Sequence, residues 1–353
     1  MINDEQRKMI QQEVLEALGS APELDRIQDN NKYIRFPEKG RGAEALNCWL
    51  RVYPYTTRLI WKRGNWRLGR EGIWGYASES GESRTWTPEE WREFKQQEQE
   101  RSEKKEKELQ ESLEKLREWF DSLPKYGEYY DSKHSKHYRS IDHSYITEKG
   151  LGHSQKMLEM IRVYDEPHRR GDFDTWYCRN PYLVFPIIGE SGLLDSVQLI
   201  DDWEEIDGWC GNKRFMKGLP LAGRFYPIFN ADSATDKIFA CEGFATGLSI
   251  FEATNRLTVV CLSCGNLSKG IQGATRYLLN SWKLRETPEE FYKRFIIVAD
   301  NDRSKAGEEG AIQACKELGC SYVLIPKGSW ESMDANDYHC NFGLKNLRKI
   351  LTF

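Results

Sequence analysis

Lys237-Ile-Phe-Ala-Cys-Glu242-Gly243-Phe-Ala-Thr-Gly247 is a short apolar run that climbs to one carboxylate, with a glycine and a small-residue segment directly after it. An α/β sheet delivers a side chain to the C-terminal end of a strand in this way, and open sheets bind ligands at that end. Two more acidic clusters lie downstream, each just past an apolar run. Asp300-Asn301-Asp302 follows Phe295–Ala299, and Asp334-Ala-Asn-Asp337 follows Tyr322–Ile325. Three acidic sites placed alike predict one metal-binding crevice.

The surrounding pattern agrees. Predicted strands at 237–241, 257–262, 294–299 and 321–325 alternate with helices at 245–254, 267–280, 304–319 and 342–351. Such alternation implies a mostly parallel, Rossmann-like sheet with helices on both faces. Gly265-Asn266, after the second strand, falls on the same sheet edge, which makes Asn266 a candidate substrate contact.

Upstream, residues 181–229 read as antiparallel β structure, with a hairpin over 182–200 turning at Gly189–Gly192. Lys213-Arg214 follows, a cationic pair placed to hold a polyphosphate or a nucleic-acid backbone. Solvated turn residues are the alternative reading. His134, His137 and His143 lack a Cys or carboxylate at ligand spacing and are expected at the surface.

The first third differs in character. A short helix is expected within Met1–Ser20, with Ile10, Val14, Leu15 and Leu18 on one face. Residues 31–76 then carry ten basic and three acidic side chains, a local net charge of +7 in a chain whose total is −4. Aromatics interleave with the cations on short period-two strands. Basic groups that follow phosphates and aromatics that stack on bases suit single-stranded nucleic acid, so Arg51, Arg63, Trp66 and Arg67 are candidate contacts. A small β module using its aromatics as core is the alternative. Thr87-Pro-Glu-Glu90 then has the form of a helix start, a capping box with Pro at the first helical position. From Pro88 to Trp119, 19 of 32 residues are charged, which predicts a solvated spacer helix whose apolar C-terminal end docks.

Several classes are disfavoured. The polar N-terminus does not read as a signal peptide, and no apolar run approaches the roughly 18 residues of a membrane span. Nine scattered cysteines, with one close pair at Cys261 and Cys264, fit reduced thiols in a cytoplasm and predict no zinc. No Gly-x-x-x-x-Gly-Lys-Ser/Thr stretch occurs, so no P-loop module is visible.

Together, Glu242-Gly243, Asp300-x-Asp302 and Asp334-x-Asn336-Asp337 resemble the Toprim domain, shared by bacterial-type primases, type IA and type II topoisomerases and some nucleases. The resemblance is closer to primases of conjugative plasmids and satellite phages, whose Glu-Gly-Tyr-Ala-Thr-Ala motif is similar to Glu242-Gly-Phe-Ala-Thr-Gly247 here. Lys213-Arg-Phe-Met, Gly223-Arg-Phe-Tyr226, His143-Ser-Tyr-Ile-Thr-Glu-Lys-Gly150 and Gly64-Asn-Trp-Arg-Leu-Gly69 also look like segments of that family. The chain departs from cellular primases in showing neither their zinc-binding module nor a helicase domain.

The resemblance implies an α/β and α+β multidomain protein. A small basic, aromatic β-rich module (1–86) and a spacer helix (87–122) would precede a mixed α+β primase subdomain (123–235) and a Toprim domain (236–353). It further implies RNA primer synthesis on single-stranded DNA from NTPs, with Mg²⁺ or Mn²⁺ and with a separate replicative helicase as partner. Glu242, Asp300 and Asp302 would be catalytic metal ligands, with Asp334 and Asp337 as further ligands. Glu242 could instead serve as general base, and Lys213 and Arg214 would bind phosphates. A Toprim nuclease and a catalytically inactive nucleic-acid-binding protein are the alternatives; a topoisomerase would need strand-passage domains for which there is no room.

Overall fold

The computed structural model describes residues 2–28, 32–43, 45–54, 58–65, 70–78, 88–126, 130–131, 136–137, 143–151, 159–164, 182–200 and 213–352. The chain divides into two compact units, Met1–Ser102 and Glu103–Phe353.

In the first unit, α1 (Asp4–Leu18) precedes a four-stranded antiparallel sheet of β1 (Tyr33–Phe36), β2 (Cys48–Pro54), β3 (Arg58–Asn65) and β4 (Arg70–Ser78), paired in chain order. Helix α1 starts at an Asn3–Gln6 capping box and ends at Gly19, whose φ of 73° is the left-handed conformation that glycine adopts without penalty. Its Ile10 and Val14 pack on Ile34, Phe36, Leu50, Val52 and Trp61. Leu15, expected on that face, is instead 44 % exposed.

This packing corrects part of the sequence reading. Three of the interleaved aromatics, Trp49, Tyr53 and Trp61, are buried, as the alternative of a small β module with an aromatic core requires. Arg63 is buried too, its Nη1 2.6 Å from Glu13 Oε1, and Trp61 donates its indole N–H to the same carboxylate. A buried, ion-paired guanidinium is not presented to a phosphate. Arg51 is half-buried, its guanidinium about equally near the rings of Tyr33 (5.1 Å) and Tyr53 (5.0 Å). Trp66, Arg67 and the Thr87 cap lie outside the described residues.

Helix α2 (Pro88–Ser122) contains the division between the units. In the second unit its last turns bury Leu113, Leu116 and Phe120 against Tyr182, Val184, Val197 and Leu199. Those residues belong to an antiparallel sheet of order β10-β9-β8-β7, formed by β7 (Arg162–Tyr164), β8 (Tyr182–Ile188), β9 (Leu194–Ile200) and β10 (Lys213–Phe215). The β8–β9 hairpin is the one expected. Arg117 fastens the helix by donating to Leu194 O (2.9 Å) and to the buried Asp195 carboxylate (3.2 Å), which also takes Arg224 (3.1 Å). Two small strands, β5 (Tyr130–Asp131) and β6 (Lys136–His137), and the short α3 (Ser144–Glu148) complete this region. His143, at the start of α3, is fully buried rather than on the surface. His134 lies outside the described residues.

The remaining elements are β11 (Tyr226–Ile228), β12 (Ala234–Cys241), α4 (Phe244–Thr254), β13 (Arg256–Val260), α5 (Leu267–Ser281), α6 (Pro288–Tyr292), β14 (Phe295–Ala299), α7 (Ala306–Leu318), β15 (Ser321–Leu324), α8 (Ala335–Phe342) and α9 (Leu344–Leu351). They build a sheet of order β11-β13-β12-β14-β15 in which β12 to β15 are parallel and β11 is an antiparallel edge. Side chains alternate across it with the period of two that strands impose. Phe239, Cys241, Ile296 and Val298 face α4, α8 and α9, whereas Ile238, Ala240, Ile297 and Ala299 face α5 and α7. The parallel sheet and its two helical layers match the sequence reading. Helices α6 and α8 are additions to it.

Strand order fixes where a ligand can sit. From β12 the chain turns toward β13 by way of α4, and from β14 it turns the other way, toward β15, by way of α7. The crevice between the C-terminal ends of β12 and β14 is thus the switch point at which open α/β sheets bind ligands.

Candidate metal and nucleotide site

Glu242 follows β12 and Asp300 follows β14, so the two carboxylates flank that crevice. The N-terminal turn of α7 closes over them at Gly307. A Cβ there would lie 2.7 Å from Asp300 O, 3.2 Å from Asp300 Cβ and 3.2 Å from Glu242 Oε1. Only glycine lets the helix come so near.

The acids repel one another. Burial, and then the charges of Glu242, Asp334, Asp302 and Asp337, push Asp300 up to about 8. Its Oδ1 is buried with no hydrogen-bond partner among the described residues. Glu242 is raised as well, first by burial and then by Asp302 and Asp334, with a backbone N–H from Cys264 opposing. Asp302 behaves differently. Burial would raise it, but the Ser304 hydroxyl at 2.6 Å and the backbone N–H groups of Lys305, Ser304 and Gly307 together hold it below the usual aspartate value.

Asp334 and Asp337 begin α8 as a reciprocal capping box, with Asp337 N donating to Asp334 Oδ1 at 2.7 Å. The other Asp334 oxygen accepts the Thr246 hydroxyl (3.1 Å), and Asp337 Oδ1 pairs with Lys149 Nζ (3.1 Å). Both therefore already have partners, and in the sequence they read as ligands rather than as the start of a helix.

Cations border the acids. Burial opposes the Lys149 charge, yet Asp334 and Asp337 more than offset it and raise its pKa. Lys213 is lowered, by desolvation of its ammonium and then by Lys149, while Asp334, Asp300 and Asp337 pull the other way. Its Nζ sits 5.2 Å from the Tyr145 ring centroid, and Arg214 lies 4.5 Å from that of Tyr182. Tyr145 is buried beside Asp334; burial and that charge raise its hydroxyl, while the Ala245 N–H opposes them. Lys149 and Tyr145 carried no assigned role in the sequence reading, although their segment had been singled out.

Asn266, the candidate substrate contact, is engaged within the fold. Its Nδ2 donates to Cys261 O (2.8 Å) and Arg224 O (2.9 Å), and its Oδ1 accepts from Gly223 N (2.9 Å). The amide is spent on pinning the 223–224 loop to the end of β13, and both of its N–H donors are used.

The residues fit a divalent cation. An orphaned buried carboxylate oxygen, and acids that raise one another's pKa, are what an added positive charge would relieve. Among the described residues no three His, Cys, Asp or Glu side chains close into a ready-made cage. An all-oxygen, open set suits Mg²⁺, which retains waters and takes one or two carboxylates together with substrate phosphate.

Residues 237–344 match the sequence model of the Toprim domain. Solved structures similar to the chain include the zinc-binding and RNA polymerase domains of the Aquifex aeolicus primase, at 13 % identity and TM-score 0.42, covering 99 % of this chain and 85 % of that one. The RNA polymerase domain of the Mycobacterium tuberculosis primase DnaG is similar at 16 % identity and TM-score 0.32, over 59 % of this chain and just 66 % of that one. The E. coli primase catalytic core is similar at 12 % identity and TM-score 0.35, over 58 % and 70 %.

Proposed function

We propose that the Toprim domain at 237–344 is the catalytic part of a DNA-templated primase, making short RNA primers on single-stranded DNA by metal-dependent nucleotidyl transfer. One observation carries the reading: the repelling acids Glu242, Asp300 and Asp334 adjoin the cations Lys149 and Lys213. Acids alone serve equally to break a phosphodiester. Cations beside them add a place for the triphosphate of an incoming nucleotide, which favours synthesis.

Glu242, Asp300 and Asp302 would hold the Mg²⁺ or Mn²⁺, backed by Asp334 and Asp337. Such an ion, when bound, neutralises the reacting phosphate and activates the attacking hydroxyl. Lys213 and Lys149 bind the β- and γ-phosphates and orient the α-phosphate toward the 3′-hydroxyl. In its alternative role Glu242 leaves the ion to Asp300 and Asp302 and, with its raised proton affinity, accepts the hydroxyl proton. A new P–O bond forms at the α-phosphorus, and pyrophosphate leaves as the bond to the bridging oxygen breaks.

We extend the proposal to the wider context: a phage or plasmid replicon in a cytoplasm, with a separate replicative helicase as partner. No helix among the described residues is long and apolar enough to cross a membrane. The proposed organisation has four parts, 1–86, 87–122, 123–235 and 236–353.

The test is direct. Purified protein with Mg²⁺ or Mn²⁺, single-stranded DNA and NTPs should yield short oligoribonucleotides, and Asp300→Ala should abolish them. Undiminished synthesis by that variant overturns the site assignment. Cleavage of labelled nucleic acid without NTPs, and no synthesis, would replace the primase with a nuclease.

A further inference from the structure

The loop joining β15 to α8 presents an aromatic ring that the chemistry above does not use. Trp330 is 53 % exposed there. A single exposed apolar side chain is ordinary, so the construction of the loop decides its meaning. Both ends of the loop are fastened to Asn301, the residue between Asp300 and Asp302. Asn301 Nδ2 donates to Ile325 O (2.9 Å), and the Asn301 and Met333 backbones exchange a pair of hydrogen bonds (3.0 and 3.2 Å). Met333 is buried, which anchors the returning strand of the loop. Between these ends Trp330 N donates to Lys327 O (3.0 Å), with Gly328 at a φ of 55°, so the tip is a closed turn. Lys327 Nζ donates across it to Glu331 O at 3.4 Å.

The indole therefore stands out from a loop whose base is the backbone of the acid cluster. It shares the sheet edge with the loop after β14, since β14 and β15 are parallel neighbours. That second loop carries Arg303 and Lys305, both exposed. Lys305 has a φ of 60°, a conformation that costs a residue with a side chain some strain. Cations on one loop and an aromatic ring on the next make the combination that holds single strands: cations follow the phosphates, and a ring accepts any base on its face.

We propose that Trp330 is a base-stacking platform for the single-stranded nucleic acid on which the acid cluster acts, with Arg303 and Lys305 as neighbouring phosphate contacts. The inference rests on reading the site as a nucleotidyl-transfer centre. It assigns the strand to the loops after β14 and β15, and leaves Lys149 and Lys213 to the triphosphate.

The test uses the full chain with Mg²⁺, no NTPs and fluorescein-labelled single-stranded DNA, read by anisotropy over a range of salt. Trp330→Ala should weaken binding by about fivefold or more, the effect of one base stack, while Trp330→Phe keeps most of the affinity. Oligonucleotides with 2-aminopurine at successive positions should show one position that is quenched by the unmodified protein and released by Trp330→Ala. Arg303→Ala with Lys305→Ala should instead flatten the salt dependence, lowering the log–log slope by roughly 1.4 for two single-strand phosphate contacts. Unchanged affinity and unchanged 2-aminopurine quenching in Trp330→Ala overturn the proposal and leave the nucleotidyl-transfer reading standing. No binding of single-stranded DNA by the unmodified chain overturns both.

Discussion

Lys149 Nζ lies 3.1 Å from Asp337 Oδ1, a pairing across 188 positions of sequence that ties the turn after α3 to the start of α8. The same turn is held a second time, by Asn336 Nδ2 donating to Lys149 O at 2.8 Å. Lys149 is thus fixed beside the acids by its backbone as well as its charge. Lys149→Met should raise the KM for NTPs about tenfold or more by removing a phosphate contact made through a charge-assisted bond. Affinity for Mn²⁺ in the absence of nucleotide should rise, since a competing cation is gone. Weaker Mn²⁺ binding, followed by titration of the bound ion, would show that Lys149 orders the acids rather than contacting nucleotide.

The metal-free protein should lose stability as pH rises through the range that separates an ordinary aspartate from Asp300. The folded chain keeps a proton on Asp300 up to about 8, whereas the unfolded chain releases it near 3.8. Across that window the folded state binds more protons, so stability falls with increasing pH. Glu242, raised likewise, acts in the same direction. His339, lowered by burial, acts in the opposite direction below 6.5, so the informative quantity is the difference from Asp300→Asn. In EDTA that variant should gain on wild type steadily from pH 5 to pH 8 in melting temperature, and Mg²⁺ should close the gap by restoring the wild type. A constant difference across pH would remove the basis for an unpaired buried carboxylate.

Gly307→Ala should damage the site from outside it. The added methyl would meet the Asp300 carbonyl at 2.7 Å, and a backbone atom cannot rotate aside as a side chain can. Helix α7 must then lift, at a cost of about 1–3 kcal/mol for overpacking, and Asp300 and Glu242 move with it. Urea unfolding should show the loss, and priming should fall further than stability alone explains. Raised Mg²⁺ should recover part of the activity if displaced ligands are the cause.

How much of this could be read from residues alone depends on how local each signal is. The parallel sheet was legible because Ile238–Cys241 and Phe295–Ala299 are apolar runs that each end in an acid, and a fully buried strand needs no more. Arg63 and Trp61 were not legible in the same way. Alternation along β3 says which residues share a face, but it cannot say that α1 covers one face and brings Glu13 to meet them. Lys149 was invisible for a similar reason, since its partner comes from the far end of the chain. Helix α8 was missed because its start is a carboxylate box, Asp334 with Asp337, which read more readily as ligands than as a cap.

Asn266 supplies a test that separates architecture from chemistry. Its amide holds two carbonyls and one N–H, those of Cys261, Arg224 and Gly223, at 2.8–2.9 Å. Asn266→Ala leaves these groups without their partner in a buried setting, and each unsatisfied group costs about 1–3 kcal/mol where water cannot enter. Asn266→Asp is the sharper variant, because it keeps the acceptor for Gly223 but faces two carbonyls with oxygen. Both substitutions should lower the urea midpoint, Asn266→Asp at least as much as Asn266→Ala at neutral pH. If the residue is architectural, the KM for NTPs measured on the folded fraction should stay within about twofold, well under the tenfold that 1.4 kcal/mol of lost binding would give. A KM that rises tenfold while the urea midpoint holds would return Asn266 to the substrate site and reassign its three hydrogen bonds as incidental.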